Sequence, residues 1–256
     1  MKITPRKWLW DRAKPSPTWL GEGSTEYPVV WQAWLPGDSA IQSHLFSILS
    51  AEERARITRF HNEEDQQRFL TGRGLLRILA GTHLGMMPQR VEFGYGAYGK
   101  PYLVSTGHMR GLHFNVSHSG KIVLLAFSFC HEVGVDVEEI RQTADLAETT
   151  RQFFMPEAYQ SWLQLSSSEQ LNEFYQAWTR HEAELKARGI GFIGEPRNAA
   201  VVTLECFDLE LPDGYQGAAA GLPAVTGEDD LFFTLFFRRR EYSRATHRKQ
   251  AFLKRR

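Results

Sequence analysis

The stretch LHFNVSHSGKIVLLAFSFCHEVGVDVEEI, residues 112–140, contains three apolar runs, LHFNV, IVLLAFSF and VGVDV. The polar segments SHSGK and CHE separate these runs. Apolar runs of this length, bounded by short polar segments, are typical of strands that are joined by hairpins. The stretch therefore predicts an antiparallel meander of three strands.

A helical pattern precedes the predicted meander. In residues 49–85, Ser50 is followed three positions later by Glu53, which is the pattern of a helix-capping box. We predict a long helical stretch there, bent near Gly72–Gly74 and ending at Gly85, because glycine interrupts or terminates helices.

The remaining patterns predict an α+β fold made of two halves. Residues 144–189 have helical periodicity around a Ser-rich loop at 166–168. Strand patterns occupy residues 29–35, 91–103, 200–211 and 231–240, with a Gly/Ala/Pro loop at 212–228 between the last two. Strands that alternate with helical blocks in this way indicate two α+β halves. We place the boundary near residues 118–122, which gives halves of 1–120 and 121–256.

Composition limits the classes of function. The chain has 256 residues, 42% of them hydrophobic, and 30 basic residues balance 30 acidic ones. The zero net charge argues against nucleic-acid binding, and no apolar run approaches the roughly 20 residues that a membrane span needs. The two cysteines of the sequence, Cys130 and Cys206, suit a reducing cytoplasm rather than a disulfide framework. We expect a cytoplasmic protein without nucleic-acid or membrane partners.

Two carboxylates lie two positions apart in GVDVEE. On a strand, Asp136 and Glu138 share one face, while Val135 and Val137 lie on the other. Like charges side by side need solvent or a cation, and Mg²⁺ is a suitable cation because it prefers oxygen ligands. This motif alone leaves two interpretations open, a magnesium site and a solvated edge strand.

The segment NVSHSG places Asn115, Ser117, His118 and Ser119 in and around a predicted turn. Hydroxyls, an imidazole and exposed amides in a turn are able to bind a phosphate, but a plain hairpin has the same pattern. A serine-hydrolase triad of Ser117, His118 and Asp136 is disfavoured because the segment lacks the G-x-S-x-G nucleophile elbow.

The helical segment FYQAWTRHEAELKARG, residues 174–189, has an apolar stripe that includes Trp178 and Leu185, with His181 in the same stripe. Glu182 and Lys186, four residues apart, lie beside it. Alone, this pattern favours a Glu–Lys surface pair and a core histidine. The carboxylates and the SHSG segment upstream reverse that preference, because they supply the partners that a catalytic Glu and Lys need.

Several cations precede the predicted meander. Lys100 lies between Gly and Pro in YGAYGKPYL, and the helical stretch carries Arg56, Arg59, Arg73 and Arg77. Each one by itself is typical of a surface charge. Together they suit a polyanionic ligand, since the guanidinium fork binds phosphate in a bidentate manner.

In this order, the motifs ERARITRF, GRGLLR, YGKPYL, FNVSHSG, GVDVEE and FYQAWTRHEAELKARG resemble the Sfp-type 4′-phosphopantetheinyl transferases over roughly residues 49–192. The resemblance implies two similar α+β halves related by a pseudo-twofold axis, with the active site at their interface. It also implies a Mg²⁺-dependent enzyme that moves phosphopantetheine from coenzyme A to a serine of an apo acyl or peptidyl carrier protein and releases adenosine 3′,5′-bisphosphate. Two halves in one chain make a monomer the default expectation.

The resemblance also implies roles for individual residues. The implied metal ligands are Asp136, Glu138 and Glu182, and the implied catalytic residues are Glu182, Lys186 and His118. Glu182 would take the proton of the carrier serine, while Lys186 and His118 would add positive charge near the pyrophosphate. The implied contacts to coenzyme A are Arg56, Arg73, Tyr98, Gly99, Lys100, Asn115, Ser117, His118 and Lys186.

Two other functions use the same residues. A descendant of the family that binds coenzyme A or a carrier protein without catalysis would keep the binding surfaces. A metal-dependent hydrolase of nucleotide pyrophosphates would keep the carboxylates but would not need a carrier surface. The complete set of Asp136, Glu138, Glu182 and Lys186 favours the transferase.

His181 departs from the family pattern, in which a lysine commonly precedes the helix glutamate. An unperturbed histidine, with a pKa of about 6.5, is mostly neutral near pH 7, whereas lysine is charged. We therefore expect lowered or pH-dependent turnover, and we expect His181→Lys to raise the rate or flatten its pH profile. Steady-state rates of both proteins between pH 6 and 9 test this expectation, and identical profiles would contradict it.

Overall fold

The computed structural model describes residues 2–10, 28–104, 112–129, 131–189 and 204–223. The helices in these ranges are α1 Ser39–Ser47, α2 Ala51–Ile57, α3 Glu63–Leu84, α4 Leu146–Phe153, α5 Pro156–Trp162 and α6 Ser167–Arg188. The strands are β1 Lys2–Ile3, β2 Arg6–Lys7, β3 Val29–Trp34, β4 Phe93–Tyr95, β5 Pro101–Leu103, β6 His113–Ser119, β7 Ile122–Ser128, β8 Gly134–Glu139, β9 Leu204–Leu209 and β10 Tyr215–Pro223. The mixed α+β class predicted from the sequence is confirmed. The predicted strand at 231–240 and Cys130 lie outside the described residues.

The strands form two four-stranded sheets and one small hairpin. The first sheet has the order β2-β3-β7-β6, the second has the order β1-β9-β10-β8, and β4 pairs with β5. The β6–β7 hairpin is antiparallel, as predicted, but β8 is not the third strand of a meander. Since β3 and β6 already occupy both edges of β7, no edge remains for β8, which pairs with β10 in the other sheet. The chain passes from the first sheet to the second between β7 and β8.

Strand β10 occupies a position that the sequence predicted to be a loop. It is a central strand of the second sheet, between β9 and β8. Its Ala218 and Ala220 pack against Ala183 and Ala187 of α6. A Gly/Ala-rich run is typical of a loop in isolation, but here the small side chains allow a helix to approach the sheet closely. The predicted loop is therefore wrong for residues 215–223, and residues 224–228 lie outside the described residues.

The helical stretch 49–85 is divided at a different place from the predicted one. Residues 58–62 separate α2 from α3, and α3 is continuous through Gly72 and Gly74. A Cβ at Gly74 would lie 2.7 Å from Cδ2 of Leu45 on α1, so this glycine serves close packing rather than a bend. The predicted end at Gly85 is confirmed, with φ of 63°.

Capping boxes begin two of the helices. The predicted box at the start of α2, between Ser50 and Glu53, is confirmed. A second box joins Ser166 and Glu169 at the start of α6. The predicted Ser-rich loop at 166–168 is therefore the cap and first turn of α6. A serine hydroxyl can accept a hydrogen bond from a free amide N–H group at the start of a helix.

The core lies in successive layers. Helix α3 packs on the outer face of the first sheet, through Leu75, Leu76 and Leu79. The inner faces of the two sheets share an apolar cluster that includes Leu124 of β7 and Val135 of β8. Helix α6 covers the outer face of the second sheet. This arrangement confirms that Val135 lies on the apolar face of its strand.

The N-terminal segment connects the two sheets. Strand β1 pairs in parallel with β9, and β2 pairs in parallel with β3, so one short segment adds a strand to each sheet. Within the described ranges, none of the helices has the length and apolar character that crossing a membrane requires.

Gly134 sets the distance between α6 and β8. A Cβ at this position would overlap the carbonyl oxygen of Ala183 and the amide nitrogen of Ala187, both in the backbone of α6. We expect Gly134→Ala to lower the free energy of unfolding by about 3 kcal/mol, the upper end of overpacking costs, because a helix backbone has no rotamer with which to yield. Urea unfolding measures the loss.

Gly37→Ala is the matched control, since a Cβ there would meet nothing within 4 Å. We expect its free energy of unfolding to stay within about 0.5 kcal/mol of the parent. Equal stabilities of Gly134→Ala and Gly37→Ala would contradict the close contact of α6 with β8.

Candidate functional site

Strands β6 and β8 meet at the edges of the two sheets, where side chains replace backbone pairing. The side chains of Asn115, Ser117 and Ser119 on β6, which we call the side-chain ladder, accept hydrogen bonds from the backbone N–H groups of three alternate residues of β8. The bonds are Val135 N–H to Asn115 Oδ1 at 2.9 Å, Val137 N–H to Ser117 Oγ at 3.4 Å and Glu139 N–H to Ser119 Oγ at 3.1 Å. The ladder satisfies amides that would otherwise be buried without acceptors.

The ladder corrects the sequence interpretation of NVSHSG. Asn115, Ser117 and Ser119 lie within β6 and are buried, rather than forming an exposed turn. The turn itself is at Gly120, whose φ is +53°. The acceptor oxygens of Asn115 and Ser117, which the sequence suggested as contacts to coenzyme A, are used by β8.

Asp136 lies at the centre of the site and is only 4% exposed. Its Oδ1 accepts bonds from Ser117 Oγ at 3.0 Å and Lys186 Nζ at 2.5 Å. Burial raises the pKa of Asp136 to about 7, against the effect of Lys186 and with added repulsion from Glu138 and Glu182. The solvated edge-strand interpretation is therefore wrong for Asp136.

Lys186 of α6 contacts both β6 and β8, and we call the place where these three elements meet the junction. In addition to Asp136, Lys186 Nζ contacts Ser117 Oγ at 3.0 Å and the carbonyl oxygen of Val135 at 3.3 Å. Burial opposes the ammonium charge, but Asp136, Glu182 and Glu138 together outweigh burial and raise the pKa of Lys186. Lys186 is thus not half of an exposed surface pair with Glu182.

His118 points away from the ladder, because adjacent residues of a strand face opposite sides. Desolvation of the ring lowers the pKa of His118 to about 4, and the positive charges of Lys186 and Arg68 add to this effect, although the residue keeps a solvent-exposed side. The imidazole is therefore neutral near pH 7. The positive charge that the resemblance implies for His118 is therefore disfavoured in this arrangement, and its role near the pyrophosphate stays a prediction.

The apolar stripe of α6 is confirmed at its N-terminal half. Phe174 and Trp178 are buried in an aromatic cluster with Phe153. The ring of His181 makes an edge-to-face contact with Phe153, at 5.2 Å between centroids. His181 therefore packs at the rim of the core, next to Glu182 in sequence.

A bidentate ion pair attaches α6 to β9, on the side of the helix away from Asp136. Arg180 contacts both carboxylate oxygens of Asp208 on β9, at 2.6 and 2.5 Å, and Gln176 donates to the same carboxylate at 2.8 Å. These contacts hold α6 to the second sheet on the side away from Asp136 and hold Glu182 and Lys186 towards the junction.

The junction has the donor chemistry of a hard cation site. Asp136 Oδ2 is buried and has no hydrogen-bond partner, and the charges of Glu138 and Glu182 reach Asp136. Carboxylate oxygens are the ligands that Mg²⁺ prefers. Among the described residues, no three His, Cys, Asp or Glu side chains converge closely enough to form a finished metal centre. The residues fit a metal that completes its shell with other oxygens.

A second charged cluster lies between α2 and α3. Glu53 is buried between two arginines, with Arg77 Nε at 2.7 Å and Arg73 Nε at 3.4 Å from its carboxylate oxygens. Arg77 also donates to the carbonyl oxygens of Pro88 and Val91, each at 2.9 Å. Arg77 is therefore a structural residue rather than a free cation for a ligand.

Arg73 differs from Arg77 because it contacts a tyrosine that lines a cavity. It donates to the hydroxyl of Tyr95 at 3.0 Å, and its Nη1 is buried without a hydrogen-bond partner. Tyr95 lines a cavity of about 410 Å³ together with Arg56 and Arg59, and the remaining lining residues are Glu52, Glu53 and Ala55. The structure thus brings Arg56 and Arg59 together at one cavity and bonds Arg73 to Tyr95 of its lining, while the binding of a polyanion there stays a prediction.

Lys100 has a different environment from these arginines. Its Nζ contacts Glu132 at 2.6 Å, the carbonyl oxygen of Val133 at 3.2 Å and that of Ala187 at 3.0 Å. Burial lowers the pKa of Lys100, against the effect of Glu132. Lys100 thus ties the Gly-rich loop to the C-terminal end of α6, while Tyr98 and Gly99 of that loop are exposed.

The sequence suggested Ser119 only as part of a phosphate-binding turn, and the structure gives it a different contact. Its Oγ lies 2.9 Å from Glu138 Oε2, so serines of β6 contact the carboxylates of both Asp136 and Glu138. The alternation of polar residues in NVSHS, matched with DVE, is the signal that could have found it.

Comparisons with known proteins gave matches to both parts of the chain. A family model described as the N-terminal part of 4′-phosphopantetheinyl transferase matches residues 32–130, and a model of the 4′-phosphopantetheinyl transferase superfamily matches residues 132–210. The chain is 37% identical to the 4′-phosphopantetheinyl transferase HetI of Nostoc sp. PCC 7120, over 63% of this chain and 68% of that protein. It is 32% identical to a 4′-phosphopantetheinyl transferase of Bacillus subtilis, over 71% of this chain and 79% of that protein. It is 30% identical to the 4′-phosphopantetheinyl transferase Sfp of Bacillus subtilis strain 168, over 66% of this chain and 74% of that protein.

The buried cluster around Glu53 generates a stability prediction. Glu53→Gln removes the negative charge between Arg73 and Arg77 while leaving a side chain that can still complete the capping box. We expect a loss of about 3 kcal/mol in the free energy of unfolding, because two buried guanidinium groups lose their counter-charge. The exposed neighbour Glu52→Gln is the control, and equal urea midpoints for the two variants would refute the prediction.

Proposed function

The chain belongs to the 4′-phosphopantetheinyl transferase superfamily and is a phosphopantetheinyl transferase, and we propose that it moves phosphopantetheine from coenzyme A to a serine of an apo acyl or peptidyl carrier protein. The observation that carries this proposal is the junction of β6, β8 and α6. There a buried carboxylate, two further carboxylates and a lysine from distant parts of the chain come together. Phosphoryl transfer needs such positioning and charge neutralisation more than it needs a protein nucleophile.

Asp136, Glu138 and Glu182 would hold Mg²⁺ in this proposal. The unpartnered Oδ2 of buried Asp136 supports the assignment, since a buried carboxylate oxygen needs a cation or a donor. When bound, Mg²⁺ would neutralise negative charge on the pyrophosphate of coenzyme A.

The chain's own residues would then act on the carrier serine and the pyrophosphate. Glu182 would take the proton of the serine hydroxyl while the serine oxygen forms a bond to the phosphorus atom that carries the pantetheine arm. The bond from that phosphorus to the bridging oxygen breaks, and adenosine 3′,5′-bisphosphate leaves with the negative charge. Lys186 would stabilise this charge, and neutral His118 would offer hydrogen bonds.

The nucleotide end of coenzyme A would occupy the cavity beside α2 and α3. Arg56 and Arg59 line this cavity and support an anion such as the 3′-phosphate there, with Arg73 held close by its bond to Tyr95. We propose the loop of Tyr98, Gly99 and Lys100 as a further contact, together with Asn115 and His118 of β6. The hydroxyl of Ser117 has no capacity left for this contact, because it bonds to Val137, Lys186 and Asp136. Backbone groups of the loop are the better candidates, because the Lys100 ammonium already has three protein partners.

We further propose that the two α+β halves are related by a pseudo-twofold axis and divided between β7 and β8, rather than at residues 120 and 121. Each half has a sheet whose outer face carries one long helix, which supports this relation. We also propose a monomer, the expectation that two halves within one chain give. Cys206 is half-buried, and desolvation raises the pKa of its thiol to about 12, which makes the thiol unreactive. We propose a cytoplasmic location for the protein.

A direct assay tests the proposed transfer. Incubation of the protein with coenzyme A, Mg²⁺ and an apo carrier protein should add the mass of one phosphopantetheine to the carrier. Glu182→Gln should lower the rate by at least about 100-fold, because it removes both a metal ligand and the proton acceptor. Mass spectrometry of the carrier measures the gain.

Glu173→Gln is the matched control, since Glu173 is an exposed carboxylate on the same helix. We expect it to retain the parent rate. Breakdown of coenzyme A without a mass gain would indicate a pyrophosphate hydrolase, and binding of coenzyme A or carrier without reaction would indicate a binding protein. Full activity of Glu182→Gln, or activity after chelation of divalent metal, would refute the residue assignment.

A further inference from the structure

We propose that Ser119 and Ser117 of β6 are positioning residues that set the orientation of the metal-binding carboxylates of Glu138 and Asp136 on β8. The proposal rests on the proposed function only in its assignment of these carboxylates to a divalent metal. It assigns to the two serines a role in metal affinity that is distinct from contact with coenzyme A.

Hydrogen-bond inventory fixes the direction in which Ser119 donates. A serine hydroxyl has one proton to donate and two lone pairs to accept with. Ser119 Oγ accepts the backbone N–H of Glu139 at 3.1 Å. Its single proton is therefore available to Glu138 Oε2, which lies at 2.9 Å. Because the residue is 7% exposed, little water competes for that proton.

Ser117 has an even more constrained hydroxyl. Its Oγ accepts the N–H of Val137 at 3.4 Å and a proton of Lys186 Nζ at 3.0 Å, which together use both lone pairs. The remaining O–H donates to Asp136 Oδ1 at 3.0 Å. With Oδ1 held by Ser117 and Lys186, the unpartnered Oδ2 is the oxygen left for a metal.

The geometry of the ladder makes this arrangement repeat along the strands. Residues 117 and 119 share one face of β6, and residues 136 and 138 share one face of β8. Each serine bonds to a carboxylate and to the amide of the residue that follows that carboxylate. The backbone bond fixes the serine, and the serine fixes the carboxylate. Outer-shell hydrogen bonds of this kind commonly contribute about 10- to 100-fold to metal affinity.

Two variants of equal shape at Ser119 test the proposal. Ser119→Thr keeps the hydroxyl, Ser119→Val replaces it with a methyl group, and both add the same bulk to the strand. We expect Mn²⁺ to bind the full chain with about 10- to 100-fold lower affinity in Ser119→Val and within about threefold of the parent in Ser119→Thr. Isothermal titration with Mn²⁺ alone measures this without coenzyme A or carrier.

Ser128→Ala is the control for loss of a strand hydroxyl. Ser128 ends β7, six residues from the position that pairs with Ser119, and its Oγ accepts the N–H of His131. We expect its Mn²⁺ affinity to stay within about twofold of the parent. Thermal unfolding of all variants shows whether each is folded at the titration temperature.

Steady-state kinetics supply a second readout that separates positioning from folding. If Ser119 positions a metal ligand, Ser119→Val should raise the Mg²⁺ concentration for half-maximal rate and recover most of its kcat at saturating Mg²⁺. A purely structural role would lower kcat through the folded fraction without changing the Mg²⁺ requirement.

Equal Mn²⁺ affinities of folded Ser119→Val and Ser119→Thr would overturn the proposal, as would equal losses in both. Absence of Mn²⁺ binding by the parent protein would also overturn it. Failure of the parent to modify a carrier protein would instead refute the proposed function, and the Mn²⁺ titration would still decide the role of Ser119.

Discussion

The rest of the structure depends on the contact between β6 and β8, where side chains supply the acceptors that a neighbouring strand would normally supply. Buried N–H groups of β8 need partners, and Asn115, Ser117 and Ser119 provide them from the other sheet. This junction joins two sheets that have no backbone pairing between them at that edge. It also places polar groups of both halves within hydrogen-bond distance of each other.

The junction buries Asp136, which gives the site its chemical character. Burial and two neighbouring carboxylates disfavour the ionised form, and Lys186 offsets only part of that cost. A fold that served stability alone would have little reason to retain three carboxylates around one buried position. The cost is consistent with a site that binds a cation and a pyrophosphate, and it agrees with the family to which the chain belongs.

Small residues determine whether α6 reaches this junction. Gly134 lets the backbone of α6 lie directly on β8, and the alanines of β10 extend the same close contact. The ion pair between Arg180 of α6 and Asp208 of β9 fixes the rotation of α6 about its own axis. Glu182 and Lys186 therefore owe their placement to residues that have no chemical role themselves.

The sequence by itself determined the local features: the β6–β7 hairpin, the capping box at Ser50, the α+β class and the set of Asp136, Glu138, Glu182 and Lys186. These depend on short spacings and on residue chemistry, which are visible in a single chain. Tertiary structure alone decided that β8 joins the second sheet, that the Gly/Ala run forms β10, and that Ser119 contacts Glu138. Such features depend on which strand edges and helix faces are already occupied, and that is settled by contacts between residues far apart in sequence.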